Sequence, residues 1–515
     1  MSIDKELNIK DHLELFRQEE FKELLKNKAS RYENKVSEDE INRIKEWHKS
    51  KEYHELNWNR EALVINPIKA CQPLGAYLAA IGFEKTLVYS HGSQGCNAYF
   101  RTHLARHFKE PFPACSSAMT EDAAVFGGYN NMYEGLENAY KLYKPEMIAV
   151  NTTCMAEVIG DDLNAFIKNA KDKGHIPQDL PVPYAHTPSF VGSHIVGYDN
   201  MMHGILSQMS TPSGEKKDRI NIIVGFDTYI GDYREIKRIL GLFGVDYILL
   251  SDPSDILDSP ANGEYKMYYG GTKLEDLKDA ANSKATILLQ RYSTKKTQEL
   301  LKEWGQDVRV VNPIGIKGTD ELMIAISELT GKPVPEQLEI ERGRVVDAIT
   351  DSYYWIYGKQ FAFQGDPDLA YGLSRYLMEL GGEPVHVMCT NGTKDWVEDM
   401  EKLKEEFPQG KEMNVYMGKD MWHLRTLLMQ EFVPFLIGTS YHKYVERDLN
   451  DLGFPLKLIR IGYPIHDRHH LHRFPIIGYQ GAIQLLTWIV NSIFDYLDSD
   501  TNKMGITDYS YDIIR

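Results

Sequence analysis

Four residues, three cysteines and one serine, could bring metal ligands to a single place. Cys71, Cys96, Cys154 and Ser189 follow one another at intervals of 25, 58 and 35 residues, and no two cysteines form a C-x-x-C pair. A thiolate binds metal or attacks a substrate, and a serine oxygen can complete a metal's ligand set. The wide spacing argues against zinc ribbons and ferredoxin-type clusters, whose ligands lie close together in sequence.

Cys154 lies at the best defined of these positions. Residues 145–150 have the pattern of a short buried strand, and apolar residues recur at helical spacing between 158 and 167. The thiol is therefore expected where a strand ends and a helix begins, which is where open α/β sheets bind ligands. The unpaired N–H groups of a helix start also favour the thiolate form.

The other three residues occupy similar corners. A helix is predicted after Cys71, at residues 74–81. A strand at residues 86–90 and a glycine turn precede Cys96, where a second helix is predicted to begin, and a strand at 181–186 precedes Ser189. Such corners can meet only at one end of a folded sheet, at a domain edge or a subunit interface. Three thiolates are one short of a closed four-sulfur set, so a metal would need Ser189, water or another chain. Alternatively, the cysteines are unrelated core residues, since free cysteine is often buried.

Length, charge and cysteine usage bound the class of protein. A chain of 515 residues is too long for one core and suggests about three domains. The net charge of −16 argues against nucleic acid or an anionic membrane as a partner. Five cysteines without regular spacing predict a reducing, cytoplasmic location. The absence of a secretory signal and of a run of about 18 apolar residues predicts a protein that is not exported.

The pattern predicts an α/β fold of three Rossmann-like domains, with parallel sheets flanked by helices and an N-terminal helical arm. The expected boundaries are an arm at 1–60, a domain carrying the possible ligands at 61–215, a second domain at 216–354, and a third with C-terminal helices at 355–515. Neither of the last two carries G-x-G-x-x-G, and the chain has no P-loop motif. This argues against NAD binding or ATP hydrolysis by those routes.

Five ordered blocks of the sequence carry a more specific signal, at residues 92–96, 119–128, 152–162, 186–194 and 467–473. Together they resemble the β chain of the nitrogenase molybdenum–iron protein, and the resemblance extends from the arm to residues 508–515. The long arm and the C-terminus resemble the molybdenum type more than the vanadium or iron-only types. The resemblance implies an α2β2 tetramer in which the arm wraps the partner subunit.

The same resemblance implies a role in the reduction of dinitrogen to ammonia, with reduced ferredoxin or flavodoxin as donor. Cys71, Cys96 and Cys154 match the β-side ligands of the P-cluster, an 8Fe–7S centre shared with the α chain, and Ser189 matches the serine that ligates iron in the oxidised cluster. The α chain alone holds the iron–molybdenum cofactor. The chain is therefore expected to relay electrons from the ATP-hydrolysing iron protein, a transient partner, and to carry no catalytic residue itself.

Further matched positions have simpler alternatives. Phe126 matches a position where the iron protein docks, although an aromatic after Ala-Ala-Val is also typical of a core. Tyr99, one helical turn after the second cysteine, lies on the electron path or merely packs in its helix. Asp347 and Asp351 share a helix face and, with Glu110 of the other β chain, match a divalent metal site (calcium or iron) at the β–β contact. Without the resemblance they indicate a solvated surface.

Other polar residues are interpreted as structural. Cys115 and Cys389 match no ligand position, and His469, His470 and His472 lack the i, i+4 pair of helical zinc sites. The alternative function is a scaffold subunit for nitrogenase cofactor assembly, because assembly proteins share this fold. The complete cysteine set and the Thr-Pro-Ser motif ending at Ser189 favour the electron-transferring subunit.

Overall fold

The computed structural model describes residues 14, 17–33, 36–63, 65–66, 68–264 and 266–499. The chain divides into two compact units, residues 1–60 and 61–515. The matched C-terminal block and part of the arm lie outside the described residues.

The described part of the first unit consists of three helices, α1 to α3, at Glu19–Tyr32, Glu38–His48 and Lys51–Trp58. The side chains of Ser37 and Ser50 cap α2 and α3 by accepting hydrogen bonds from the backbone N–H groups of Glu40 and Tyr53. Several large apolar side chains of these helices are exposed, among them Leu56. A helical arm was predicted here, and this prediction is confirmed.

The second unit contains three parallel sheets with helices on their faces. The strands of the first sheet, in the order β2-β1-β3-β4, are β1 Thr86–His91, β2 Ala114–Ser116, β3 Met147–Thr152 and β4 Tyr184–Ala185. Those of the second, in the order β6-β5-β7-β8, are β5 Lys217–Ile223, β6 Tyr247–Leu249, β7 Ser283–Leu288 and β8 Asp307–Val310. Those of the third, in the order β11-β10-β9-β12-β13, are β9 Gln360–Gln364, β10 Glu383–Cys389, β11 Asn414–Met417, β12 Phe435–Gly438 and β13 Lys457–Arg460.

Seventeen α-helices of the described residues connect and cover these strands. Those around the first sheet are α4 Gln72–Ile81, α5 Gln94–Phe108, α6 Glu121–Phe126, α7 Tyr129–Tyr143, α8 Cys154–Ile159, α9 Leu163–Asp172 and α10 His194–Met209. Those that follow are α11 Ile230–Phe243, α12 Leu274–Asp279, α13 Lys295–Glu303, α14 Gly315–Thr330, α15 Glu336–Ile356, α16 Pro367–Glu379, α17 Lys394–Glu406, α18 Met421–Gln430, α19 Lys443–Asp451 and α20 Gly478–Ser499.

The first sheet is buried on both faces, as parallel sheets require. Every residue of β1 and β3 is buried, and successive side chains point to opposite faces. Leu87 and Ile148 pack into one apolar cluster, whereas Val88 and Ala149 pack into another, larger one on the opposite face. Polar residues are concentrated at the carboxyl ends of β1 and β3 and include Ser90 and Asn151.

The predicted fold class, with parallel sheets flanked by helices, is confirmed. The exact domain boundaries at residues 215 and 354 stay predictions. Among the described residues, no helix combines the length and the apolar character needed to cross a membrane.

Candidate metal centre

The three cysteines and the serine singled out by sequence meet at one edge of the first sheet. The Cys71 thiol is hydrogen bonded to the Ser189 hydroxyl, and the Cys96 thiol lies within hydrogen-bonding reach of Cys154. Cys71 and Cys96 are partly buried, whereas Cys154 is exposed. The fold therefore gathers soft sulfur donors and one oxygen donor on a surface that is open on one side.

Cys154 is fixed by the turn between β3 and α8, as predicted. The N–H of Thr153 donates to the carbonyl oxygen of His91, at 3.0 Å, so the end of β1 holds the residue before the cysteine. Gly92 has a φ of +151°, and a Cβ atom there would lie 1.8 Å from Thr153 Oγ1. Only glycine can occupy this position, which explains the glycine turn after β1.

Cys71 is the N-cap residue of α4, a helix buried along its whole length. The backbones of this helix and α10 are in close contact at their crossing, since a Cβ atom on Gly75 would lie 1.7 Å from the carbonyl oxygen of His194. A Cβ atom on Gly197 would in turn lie 1.8 Å from the carbonyl oxygen of Gln72. The crossing holds Cys71 against the loop that leads from Ser189 into α10.

Two reciprocal hydrogen bonds between His194 and Ala70 also hold Cys71 in place. Ala70 N–H donates to His194 Nδ1 at 3.1 Å, and His194 N–H donates to the Ala70 carbonyl oxygen at 2.9 Å. The other ring nitrogen of His194 lies 2.9 Å from Asp366 Oδ1, at the start of α16. The residue before Cys71 is thus tied to both α10 and the third sheet's first helix.

Cys96 lies in the first turn of α5 rather than at its first residue. The sequence prediction started this helix at Cys96, but it begins at Gln94 because Ser93 is the N-cap residue and accepts a hydrogen bond from Gly95 N–H. The correction moves the cysteine by less than one turn. Its thiol still faces the exposed end of the sheet beside Cys154.

Ser189 is positioned by a network at the end of β3. Thr187 N–H donates to Thr152 Oγ1 at 2.8 Å, and the Thr187 hydroxyl donates to the Thr152 carbonyl oxygen at 2.7 Å. The Thr152 hydroxyl donates to Glu157 of α8, which also bonds His186. The network joins the Ser189 loop to the helix that carries Cys154.

Ionisation of the Cys71 and Cys96 thiols is unfavourable in the absence of a cation. Burial raises the pKa of the Cys71 thiol. The hydrogen bond from Ser189 lowers this pKa, and the neighbouring Cys154 raises it. Burial also raises the pKa of Cys96, and Cys154 and Cys71 raise it further. No group of three or more His, Cys, Asp or Glu side chains in the described residues forms a site for a single metal ion. Converging thiols whose charges need compensation suit a multi-iron cluster, which neutralises several thiolates at once.

Two other predicted residues, Phe126 and Tyr99, are exposed on helices of the same domain. Val125, Phe126 and Val158 form an apolar patch on the contacting helices α6 and α8, with 76%, 77% and 75% of each residue exposed. We call these three residues the apolar patch. Tyr99 is also exposed, on α5. Phe126 is therefore not a core residue, which was the structural alternative for this position.

The remaining predicted residues lie outside the turns that carry the candidate ligands. Asp347 and Asp351 are both exposed on α15, and Glu110 is partly buried between α5 and β2. Burial raises the pKa of Glu110, and the nearby Asp258 raises it further. Cys389 is fully buried. Cys115 is partly buried, and burial raises the pKa of its thiol to about 12.

Comparison with known protein families explains this arrangement. The family model of the nitrogenase component 1 type oxidoreductases matches residues 71–494, so the match begins at the first of the three cysteines. The chain belongs to the nitrogenase component 1 oxidoreductase family. A second model, of a domain of unknown function, matches residues 1–57, which correspond to the predicted arm. The predicted nitrogenase-type oxidoreductase activity is confirmed at this level.

Relatives within the family agree over almost the whole chain. A nitrogenase molybdenum–iron protein beta chain of Nostoc sp. is 58% identical and covers 98% of both chains. The corresponding protein of Azotobacter vinelandii is 52% identical over 98% of this chain and 99% of its own. A chain of the solved structure "Nitrogenase Cp1 at pH 6.5" has a TM-score of 0.82 and 41% identity, and covers 86% of this chain and 96% of its own. The resemblance predicted from the sequence blocks is confirmed.

Sequence reasoning did not find the polar residues that support the ligands. His91, Asn151, Thr152 and His194 are all buried and hydrogen bonded around the thiol-bearing turns. One signal pointed to some of them, since polar residues at the ends of otherwise apolar strands often face a site. Their partners are distant in the sequence, as Ala70 is from His194, 124 residues away, and could not be read from local patterns.

Proposed function

We propose that this nitrogenase component 1 chain is the β subunit of an α2β2 molybdenum–iron protein and relays electrons through a shared P-cluster. The observation that carries the proposal is the convergence of Cys71, Cys96, Cys154 and the Ser189 hydroxyl on one open edge. When bound, such a cluster accepts electrons and passes them on. The iron–molybdenum cofactor would lie in the α chain, where dinitrogen is reduced.

The candidate residues of this chain would bind the cluster from one side, hold its ligands in place and continue the electron path. The three thiolates would hold iron from one side, and Ser189 would offer an oxygen ligand. The α4 and α10 crossing would fix Cys71, while the end of β1 would fix Cys154. Tyr99, exposed next to these groups on α5, would lie towards the α chain's cofactor on the electron path.

A partner chain is needed because the site is open. Cys154 is exposed, and Phe190, directly after Ser189, is 64% exposed. An apolar surface beside exposed thiols is typical of a protein interface. We propose that the α chain covers this surface and supplies three further cysteines. The helices of the first unit, with their exposed apolar side chains, would wrap the same partner. Because all five cysteines are free, the complex would be cytoplasmic.

We propose further that the apolar patch docks the ATP-hydrolysing iron protein transiently. Phe126 lies beside the helix that starts at Cys154 and is exposed, as an interface anchor must be. Its position near the thiols would give the electron a short path. The acidic surface, with a net charge of −16, is consistent with a protein partner and with neither nucleic acid nor a membrane.

Replacing Phe126 by alanine tests this docking. Removal of an aromatic anchor commonly costs about 2 kcal/mol of binding, so the iron-protein concentration that gives half-maximal turnover should rise roughly thirtyfold. Steady-state assays over a range of iron-protein concentrations measure it. The control is Leu142→Ala, which removes another highly exposed apolar side chain, on α7. Equal curves for parent and Phe126→Ala would rule out the patch as the docking surface.

We also propose a divalent metal site, for calcium or iron, at the β–β contact. Asp347 and Asp351 lie one helical turn apart on α15, and their exposed carboxylates would bind an ion together with Glu110 of the second β chain. Carboxylate oxygens are the ligands that hard cations prefer.

The double variant Asp347→Asn, Asp351→Asn is expected to weaken the β–β contact by roughly tenfold, because the charge of the ligands sets the affinity for the ion. Sedimentation would show αβ pairs at concentrations where the parent is a tetramer, and metal analysis would show one divalent ion fewer per β chain, because a two-fold contact repeats the site. The matched control is Glu401→Gln, Glu405→Gln, an exposed pair at the same spacing on α17. An intact tetramer with unchanged metal content would show that the two aspartates are only surface residues.

A further inference from the structure

A buried histidine and aspartate contact Gly128, two residues after Phe126 of the apolar patch. His91, the last residue of β1, is completely buried, and its Nε2 lies 2.9 Å from Asp161 Oδ2. Its Nδ1 lies 3.0 Å from Ser117 Oγ. That hydroxyl already accepts a hydrogen bond from Gly92 N–H, so its own hydrogen is free to be donated to Nδ1. Nε2 then carries the ring hydrogen and donates it to Asp161.

The two residues of this pair hold two different parts of the site. The carbonyl oxygen of His91 accepts the Thr153 N–H and so fixes the turn of Cys154. Asp161 accepts the N–H of Gly128, at 3.2 Å from each carboxylate oxygen, two residues after Phe126. The backbone and side chain of His91 thereby link the thiol-bearing turn to the end of the helix that carries the patch.

The packing around this link leaves no free space. A Cβ atom on Gly128 would lie 2.6 Å from Asp161 Oδ2 and 2.7 Å from His91 Cε1. Any movement of the turn after α6 would therefore press directly on the pair. The preceding residue, Gly127, has a φ of +87°, a conformation that ends α6 and turns the chain towards Asp161.

Little else holds the patch in place. Helix α6 has six residues, too few for a helix to be stable without packing. Its apolar support is a small cluster in which only Met119, Ala123 and Ala156 are buried. The hydrogen bonds from Gly128 N–H to Asp161 therefore add to the few contacts that orient the end of α6 relative to the Cys154 turn.

We propose that His91 and Asp161 are positioning residues that hold the apolar patch at a fixed position relative to the Cys154 turn. The iron protein then docks at a fixed distance from the thiols. This inference rests on the proposed function, in which the patch is the docking surface. Asp161 is buried and would act through Gly128 and α6, without touching the partner. A displacement of Gly128 on docking would be transmitted through Asp161 and His91 to the turn at Thr153 and Cys154.

The test compares Asp161→Asn and Asp161→Ala in the complete complex, with the iron protein as the probe. Alanine leaves the Gly128 N–H and the His91 ring N–H without partners, so we expect the iron-protein concentration for half-maximal turnover to rise roughly tenfold. Asparagine keeps one acceptor oxygen and should give a smaller rise of about threefold. Maximal turnover, measured at saturating iron protein, and bound iron should stay near the parent values.

This pattern separates positioning from a merely structural role. A purely structural loss would lower maximal turnover and bound iron together and leave the half-maximal concentration unchanged, which would overturn the inference. If the alanine variant does not fold, the asparagine variant decides, and a half-maximal concentration equal to that of the parent would again overturn it. The matched control is Glu137→Gln, which alters another histidine–carboxylate pair, with His175 at 2.7 Å, on α7.

The Phe126→Ala variant distinguishes the two ways of failing. If Phe126→Ala raises the half-maximal concentration and both Asp161 variants do not, the positioning role is wrong and the docking surface stands. If Phe126→Ala has no effect, the docking proposal itself is wrong. A graded order of parent, Asp161→Asn and Asp161→Ala in iron-protein affinity is the result that supports the inference.

Discussion

Gly75→Ala is expected to destabilise the chain strongly and to displace Cys71. The added methyl group would lie 1.7 Å from the carbonyl oxygen of His194, so α4 and α10 must move apart. Overpacking of a core typically costs about 1–3 kcal/mol, and a backbone clash at a helix crossing lies at the upper end. Because Cys71 caps α4 and Ser189 precedes α10, the same movement would separate two of the proposed ligands.

Thermal unfolding of the complex and its bound iron would measure both effects. The matched control is Gly241→Ala on α11, where a Cβ atom meets nothing within 4 Å. In a helix this substitution stabilises by about 0.5–1 kcal/mol, so the same chemical change should have opposite signs at the two positions. Equal stability and equal iron in the Gly75→Ala complex would contradict the close crossing.

Cys154→Ala is expected to remove the shared cluster while leaving the complex assembled. The thiol is exposed at the start of α8, so its loss creates no cavity in the core. It is also the group that faces both Cys71 and Cys96, and without it iron on this side would be left open to water. Electron delivery to the α chain should fall to background.

Cys115→Ala is the matched control for this variant. Cys115 is also a free thiol of the first sheet, but it is paired in register with Tyr89 and packs in a different apolar cluster from Cys71 and Cys96. The substitution removes one partly buried sulfur and should cost only modest stability. Loss of the cluster in both variants would mean that any thiol change disrupts the fold, and that ligation is not the cause.

The turn of Cys154 could be predicted from sequence because its information is local. An apolar strand, a short turn and helical periodicity lie within about 20 residues, and the structure has β3 and α8 at these positions. The helix of Cys96 was placed two residues late because the prediction overlooked Ser93 as an N-cap. Capping is a contact between neighbours, so this error was avoidable.

The supporting contacts could not be predicted, because they depend on the folded chain. Nothing near Gly75 shows that the carbonyl of His194 will approach it, and nothing near His91 indicates Asp161, 70 residues later. The exposure of Phe126 was also ambiguous, since Ala-Ala-Val-Phe is typical of a buried segment. It becomes exposed because α6 ends at Phe126, and Gly127 turns the chain away.

The most direct test of the central claim is the iron and molybdenum content of the purified α/β complex carrying parent, Cys154→Ala or Cys115→Ala chains. If this chain supplies one side of a shared iron–sulfur cluster, Cys154→Ala will lose the iron of that cluster and keep the molybdenum bound in the α chain. Parent and Cys115→Ala will keep both metals. Full iron in the Cys154→Ala complex, together with parent-like electron delivery, would contradict the proposal that the converging thiols of this chain hold the cluster.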